Sequence, residues 1–307
     1  MDTEPNTFTL ELFRGTTEEK IVIEKITSTL GDGEIYIETT HSGLCGTDIH
    51  AFNGGKILGH EGVGIVRQVG SDQYCSHRIN FSNNNDNLGS LSSGVIWPAN
   101  MVFPIPDGYE SADAAPMLCA GATVFTILSE FGVRPTDRVG VIGIGGLGHL
   151  AIKFAAAMGS EVVALSSSES KQQEALEFGA NEFHVFDSEK SLPPSFKRLN
   201  HLLLCTSVPI KNFNNLINLM DIKGTVYPLT VSFDAIPIQL AGLIPSGVHI
   251  QGTLTASRHN IRRMLKFTTL HNIKPTIMRF PMTVNGVKDA IDTLQSGKMR
   301  YRGVLVR

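Results

Sequence analysis

The sequence predicts an α/β protein in which a β-rich part is followed by a doubly wound parallel sheet. Two observations carry this prediction. Runs of β-branched residues dominate 21–40, and from 138 onward short apolar runs alternate with helical stretches around a glycine-rich turn. Such alternation is typical of a parallel sheet covered by helices on both faces. At 307 residues, the chain is long enough for two domains of ordinary size.

The first part of the chain has strand signals broken by turn signals. IVIEKITSTLGDGEIYIETT (21–40) contains a Gly-Asp-Gly turn between two apolar runs, and HEGVGIVRQVG (60–70) alternates as a strand does. The stretch 72–94 is polar, Asn-rich and without periodicity, which predicts a surface loop or local disorder. ADAAPMLCAGATVFTILSEFG, after a Pro-containing turn, predicts a helix.

The second part alternates strands and helices. RVGVI (138–142) is followed by the glycine turn, by a helix with Ala and Leu spacing and by the apolar run EVVALS. Further predicted strands are HVFD, HLLLCTS, GTVYPLTV and HIQGTL. The tail predicts a basic amphipathic helix near 258–271, the strand IMRFPMTV, the helix NGVKDAIDTLQSG and the strand RGVLVR.

Composition excludes several classes of protein. With 42% hydrophobic and 18% charged residues, the chain is typical of an ordinary globular protein. A net charge of -3 gives no reason to expect nucleic acid or a membrane surface as a partner. The start is acidic and no apolar run is long enough for a transmembrane segment, so we expect a cytoplasmic protein. The four cysteines, which are scattered, form no disulfide framework.

The glycine-rich turn predicts a dinucleotide site. Its glycines permit a tight turn, close approach of the backbone to a pyrophosphate and close packing of helix on strand, while the helix N-terminus favours an anion. Because both flanks match the expected strand and helix, the turn is more specific than the pattern alone. The predicted cofactor-binding residues here are Gly143, Gly145, Gly146, Leu147 and Gly148.

The end of the next strand favours NADP over NAD. An NAD enzyme usually has an acid there, whereas this chain has Ser166, Ser167 and Ser168, with Lys171 one helical turn further on. Hydroxyls and an ammonium suit a 2′-phosphate that a carboxylate would repel. Glu169 argues in the other direction, and the serines could instead cap the following helix.

Four ordered motifs resemble the zinc-dependent medium-chain dehydrogenase/reductase superfamily. They are GLCGTDIH (43–50), GHEGVG (59–64), LCAGATV (118–124) and GIGGLGH (143–149). The SSSESK segment and the Arg-Tyr-Arg of 300–302 are most similar to the cinnamyl-alcohol-dehydrogenase-like branch. The resemblance implies a GroES-like catalytic domain in two parts, 1–117 and 257–307, around a Rossmann NADP-binding domain at 118–256. It also implies a homodimer.

The resemblance further implies a role for each matching residue. Cys45, His60 and Cys119 would be the protein ligands of one catalytic zinc, with Glu61 beside the metal. Asp48 would hydrogen-bond the far nitrogen of His60 and fix its tautomer. The remaining residues implied are Thr47 and His50, which would pass the proton of an alcohol substrate towards solvent, and Thr206 and Arg302, which would bind the cofactor.

The implied function is hydride transfer between NADP(H) and a primary, aryl or allylic alcohol or aldehyde. Two alternatives remain open at this point. One is a zinc-poor reductase of an activated C=C or C=N bond. The other is a catalytically inactive protein that binds NADP(H).

The chain departs from the family between Ser71 and Cys75. Family members usually have a lobe with four cysteines for a structural zinc, and an adjoining strand, where this chain joins its flanks directly. Cys75 resembles the last cysteine of that lobe, and one thiolate cannot form a tetrahedral site, so we predict no structural zinc and a truncated GroES-like domain. The segment was either lost naturally or removed by a skipped exon, which would leave a sheet edge exposed.

Overall fold

The computed structural model describes residues 7–69, 88–190, 192–206, 210–229 and 235–307, apart from Glu19 and Asp32. Contacts divide the chain into two compact units. The first consists of Met1–Cys119, Ile261–Thr269 and Lys274–Arg307, and the second of Ala120–Asn260 and Leu270–Ile273. The departure at Ser71 to Cys75 lies outside the described residues.

The elements of the first unit begin with a hairpin that the sequence analysis did not assign. Residues 7–15 alternate apolar and polar side chains, and they form a strand antiparallel to the next one. The elements up to Cys119 are the strands β1 (Thr7–Gly15), β2 (Ile21–Thr29), β3 (Glu34–Leu44), β4 (Glu61–Val69) and β5 (Gly94–Pro98) and the helices α1 (Gly46–Asn53) and α2 (Ser111–Pro116).

A single helical rod runs from Ser111 to Glu130, with a change of winding inside it. Helix α2 ends at Pro116, residues Met117–Gly121 form a π-helical turn, and α3 (Ala122–Glu130) continues. The rod is long and apolar enough to cross a membrane, but 78% of its most apolar window is buried inside the protein. It is therefore a core helix of this fold.

Six parallel strands lie among the described residues of the second unit. Its elements are the strands β6 (Arg138–Ile142), β7 (Glu161–Ser166), β8 (Glu182–Val185), β9 (Leu199–Leu204), β10 (Met220–Pro228) and β11 (His249–Ile250) and the helices α4 (Gly148–Ala157), α5 (Gln172–Glu177), α6 (Phe213–Ile217) and α7 (Leu240–Leu243). The strand order β8-β7-β6-β9-β10-β11 reverses direction between β6 and β9. In such sheets, ligands bind at the carboxyl ends of the strands beside the reversal.

The C-terminal elements are α8 (Arg258–Leu270), β12 (Ile277–Pro281), α9 (Val284–Gln295) and β13 (Arg302–Val306). The last strand, β13, returns to the first unit and pairs antiparallel with the second half of β3. Strand β5 pairs with the first half of β3, and β4 pairs with the opposite edge of β3. Because Gly303 pairs with Leu44, the C-terminal strand lies beside the residues that lead into Cys45.

Candidate active site

Four predicted metal-site residues come together in the first unit. One ligand atom from each of Cys45, His60, Glu61 and Cys119 lies within 4.8 Å of all the others. The Cys45 Sγ is 3.3 Å from the His60 Nε2, and the Glu61 Oε1 is 3.6 Å from the same nitrogen. This geometry brings together residues that are up to 74 positions apart in sequence.

Local structure explains how each ligand is positioned. Cys45 follows β3 and caps helix α1, where its sulfur accepts a hydrogen bond from the Thr47 backbone N–H at 3.4 Å. His60 and Glu61 lie at the start of β4. Cys119 lies in the π-helical turn after Pro116. Such turns place an extra residue in the helix and often occur at functional sites, but no sequence signal predicted this one.

Asp48 orients the cluster from a fully buried position. Its Oδ1 lies 3.3 Å from the His60 Nδ1 and accepts a hydrogen bond from the Gly59 N–H at 2.9 Å. Its Oδ2 accepts a second hydrogen bond, from the Cys45 N–H, at 2.9 Å. The carboxylate therefore holds His60 in the tautomer that leaves Nε2 available as a ligand.

Glu61 is buried against Gly43 and Arg302. A Cβ on Gly43 would lie 1.9 Å from the Glu61 Oε2, so only glycine leaves room for this carboxylate. The Arg302 Nη2 donates to both carboxylate oxygens of Glu61, with 2.5 Å to Oε2, and Arg302 is only 3% exposed. The buried guanidinium reaches Glu61 from β13, and the prediction that Arg302 binds the cofactor stays a prediction.

The charges of the cluster are strongly coupled. A hydrogen bond from Cys119 holds the pKa of the Cys45 thiol well below its usual range, and the same bond raises the pKa of Cys119. Burial lowers the pKa of His60, but the Asp48 carboxylate and the Cys45 sulfur together outweigh burial and hold this pKa well above its ordinary value. Burial raises the pKa of Glu61 to about 7, although the guanidinium of Arg302 opposes this shift.

This donor set fits a zinc ion. Zinc takes thiolate sulfur, imidazole nitrogen and carboxylate oxygen at about 2.0–2.3 Å, which places tetrahedral ligands roughly 3.3–3.8 Å apart. The 3.3 Å between Cys45 Sγ and His60 Nε2 matches that spacing. Two thiols and an imidazole are softer than the all-oxygen sets that bind calcium or magnesium, so they favour zinc.

The two residues predicted to carry a proton lie on the first turns of α1. Thr47 and His50 are exposed, three positions apart, whereas Asp48 between them is buried. Residues three apart lie on one face of a helix, so both side chains emerge on the same side. Their position is compatible with the predicted relay, which stays a prediction.

The second unit contains a cleft of about 560 Å³ at the carboxyl ends of its strands. Of the predicted cofactor-binding residues, those that line it are Gly143, Gly145, Ser166, Ser167, Ser168, Lys171 and Thr206. The cleft lies beside the reversal of strand order, where a dinucleotide binds in this kind of sheet. Gly146, Leu147 and Gly148 continue the same turn into helix α4.

The glycines of the turn have different roles. Gly143 has a positive φ of 89°, and a Cβ there would lie 2.7 Å from the Thr206 Cα. A Cβ on Gly148 would lie 1.9 Å from the Gly143 carbonyl oxygen, whereas one on Gly145 would meet nothing within 4 Å. Gly143 and Gly148 therefore allow the turn to close, and Gly145 leaves space open at the cleft.

Charges in the cleft are mixed. The Lys171 Nζ donates to the Ile144 carbonyl at 2.6 Å, which places its ammonium at the cleft. Ser168 makes no side-chain cap to the turn that follows it, and Glu169, the residue that argued against NADP, does not line the cleft. Among the lining residues that were not predicted are five with a polar or charged side chain or a thiol, which lie in loops without a motif: Asp187, Ser188, Glu189, Cys205 and Lys211.

Comparisons with known proteins agree with this arrangement. The family model "Alcohol dehydrogenase GroES-like domain" matches residues 31–107, and "Zinc-binding dehydrogenase" matches residues 146–269. The similar proteins include an aldehyde reductase from Synechocystis sp., 29% identical over 90% of this chain and 92% of the relative. A probable cinnamyl alcohol dehydrogenase from Oryza sativa is 28% identical over 89% of this chain and 88% of the relative.

Solved structures show the same fold. A cinnamyl alcohol dehydrogenase from Sorghum bicolor superposes with a TM-score of 0.88 at 24% identity, covering 97% of this chain and 98% of that one. A cinnamyl alcohol dehydrogenase from Helicobacter pylori complexed with NADP(H) gives 0.86 at 22% identity, covering 98% of both chains. The predicted fold class, a GroES-like domain with a Rossmann sheet, is confirmed. The chain belongs to the zinc-dependent medium-chain dehydrogenase/reductase superfamily, in its cinnamyl-alcohol-dehydrogenase-like branch.

Proposed function

We propose that the protein is an NADP-dependent alcohol dehydrogenase or aldehyde reductase that acts on primary, aryl or allylic alcohols and their aldehydes. The observation that carries this proposal is the cluster of two cysteines, one histidine and one glutamate around a common point. Relatives named as an aldehyde reductase and as alcohol dehydrogenases support the reaction type. Because Cys45 and Cys119 have to be reduced to bind a metal, a cytoplasmic location suits the proposed function.

One zinc ion per chain would be held by Cys45, His60 and Cys119, with Glu61 beside it. Bound there, zinc supplies a Lewis acid that polarises an alcohol or carbonyl oxygen, and NADP(H) supplies the acceptor or donor of hydride. The chain's own residues prepare this site. Asp48 fixes the tautomer of His60, and Arg302 holds the buried Glu61 carboxylate in place and opposes the rise of its pKa.

Thr47 and His50 would carry the proton of the reaction. In the direction of alcohol oxidation, the Thr47 hydroxyl accepts the substrate's hydroxyl proton, and His50, exposed one turn along the same helix face, passes it to solvent. In aldehyde reduction the proton moves in the opposite direction. Both residues remain proposals.

The cleft supports NADP as the cofactor. Ser167 and Ser168 are exposed and line it, and the ammonium of Lys171 contacts the Ile144 carbonyl in the glycine turn. The two acids in the lining, Asp187 and Glu189, lie beyond the end of the neighbouring strand and are each paired with a lysine. NADPH should therefore bind more tightly than NADH.

A homodimer would form at the free end of the parallel sheet. Both residues of β11 are exposed, and large apolar side chains nearby in sequence are exposed as well: Leu240 (70%), Ile244 (79%) and Leu254 (79%). A second copy that paired at this edge would cover them. Sedimentation of the purified protein should show a dimer.

The site assignment is tested with Cys45→Ala and His60→Ala, beside His259→Ala as the matched control on an exposed histidine outside the site. The first two variants should lose zinc and turnover and keep NADPH binding, because the cleft lies in the other unit. Turnover of an aldehyde by zinc-free protein would contradict the zinc chemistry.

An enal substrate separates the reaction types. Carbonyl reduction gives the allylic alcohol, whereas a reductase of the C=C bond gives the saturated aldehyde. NADPH binding without turnover of any aldehyde or alcohol would instead favour the inactive NADP(H)-binding protein.

A further inference from the structure

A bridge of side chains joins two loops that follow well-separated strands. Strand β8 lies at the edge of the parallel sheet, and β6 and β7 separate it from β9. Nevertheless, the loop after β8 and the loop after β9 meet. The Lys211 Nζ donates to the Glu189 Oε2 at 2.8 Å, and the Asn215 Nδ2 donates to the Ser188 carbonyl at 2.8 Å.

This bridge crosses the nucleotide cleft. The cleft lies at the carboxyl ends of β6 and β7, since Ile142, Gly143, Leu165 and Ser166 line it. Glu189 and Lys211 line the same cleft, so their ion pair spans the gap between its two outer walls. The cleft keeps its volume of about 560 Å³ with the bridge closed, and a ligand can therefore lie within it.

We propose that the Glu189–Lys211 pair is a strap that closes over the end of the cofactor in this cleft and slows its release. The proposal rests on the proposed NADP(H) function of the cleft. A nucleotide that lies across the ends of β6 and β7 has to leave past this pair or wait until it opens. The pair also neutralises Glu189, whose free carboxylate would repel the cofactor phosphates. Lys211 and Glu189 are thus positioning residues.

The expected effect is modest, because both side chains are largely exposed, at 67% and 56%. An exposed ion pair contributes little free energy, so loss of the strap should accelerate cofactor release by about two- to fivefold. The two roles of the pair predict different outcomes for its variants. If the pair acts as a strap, removal of either partner accelerates the release of NADPH. If Glu189 only repels the cofactor phosphates, removal of Glu189 slows the release.

The experiment measures NADPH release from the full-length protein by stopped-flow displacement. The variants are Lys211→Ala, Glu189→Ala, the double variant and the exchanged pair K211E/E189K. Lys288→Ala is the matched control, because Lys288 of α9 forms an ion pair with Asp292 and neither residue lines the cleft.

A strap predicts that both single variants and the double variant release NADPH faster than wild type, with Lys211→Ala fastest because it also leaves the Glu189 carboxylate unpaired. It also predicts that the exchanged pair restores slow release and that Lys288→Ala behaves as wild type. Slower release from Glu189→Ala, or release at the wild-type rate from every variant, would overturn the strap. In that case, NADPH binding by the wild type would still support the proposed function. A wild-type protein that binds no NADPH would overturn both.

Discussion

Asp48 shows how one buried carboxylate controls three neighbours. It contacts the ring of His60 and accepts hydrogen bonds from the backbone N–H groups of Cys45 and Gly59, so it fixes two of the proposed ligands at once. These hydrogen bonds offset the cost of burying its charge.

Replacement of Asp48 with Asn should weaken zinc binding about 10- to 100-fold, the usual loss when such an orienting partner is removed. The amide keeps the shape and loses the charge that favours the His60 tautomer. Competition with a chelator measures the affinity, and Asp292→Asn, at an exposed site on α9, is the matched control. Unchanged zinc affinity would mean that Asp48 does not orient the ligand.

Replacement of Gly43 with Ala should destabilise the first unit by about 1–3 kcal/mol, the usual cost of overpacking. The new Cβ would lie 1.9 Å from the Glu61 Oε2 and force that carboxylate away from Arg302. Urea denaturation measures the change. Gly46→Ala is the control, because a Cβ there meets nothing within 4 Å, and equal stability losses in the two variants would contradict the argument.

At the scale of elements, two glycines of the turn between β6 and α4 have different roles. Gly148 is needed for stability, and Gly145 is needed for cofactor binding. Gly148→Ala should lower stability, because its Cβ would lie 1.9 Å from the Gly143 carbonyl oxygen. Gly145→Ala should leave stability unchanged and weaken NADPH binding, because its Cβ would enter open space at the cleft. Thermal unfolding and NADPH fluorescence titration of both variants measure the two effects. The reverse pattern would show that the cofactor does not approach Gly145.

The opposite end of the parallel sheet is held by Arg138, which is only 5% exposed and binds Glu161 of β7 and Glu182 of β8. The hydrogen bond from Arg138 is the main reason that the pKa of Glu182 falls to about 2. Since this folded-state pKa lies below that of the unfolded chain, the pair stabilises the fold above about pH 4.5, and the contribution is lost as the pH falls towards 2.

Glu182→Gln should therefore be less stable than wild type at pH 7, and the difference should shrink as the pH falls below 4.5. Urea denaturation at pH 7, 4 and 3 measures the two curves. Glu177→Gln, at an exposed position of α5, is the control. A stability difference that does not change with pH would show that the charge of Glu182 is not what Arg138 binds.

Across the whole molecule, the sequence predicted the features that depend on neighbours in the chain. Cys45 and Asp48 lie in one short motif, His60 in a second and the glycine turn in a third, so the geometry within each motif follows from local structure. The contacts it could not predict join distant segments. Arg302 and Glu61 are 241 positions apart and meet only because β13 returns beside β3. Glu189 and Lys211 likewise lie in loops without a motif.

The domain boundaries at 117/118 and 256/257 stay a prediction, because a division by contacts does not show that a unit folds by itself. The absence of a structural zinc also stays a prediction, because Cys75 lies outside the described residues.

The central claim is that one zinc, held by Cys45, His60 and Cys119, makes this protein an aldehyde reductase. The most direct test removes metal with a chelator, restores zinc in steps and measures NADPH oxidation with an aryl aldehyde at each step. We predict that the rate rises in proportion to bound zinc and levels off at about one ion per chain. Full activity in the metal-free protein, or a rate that does not change as zinc binds, would contradict it.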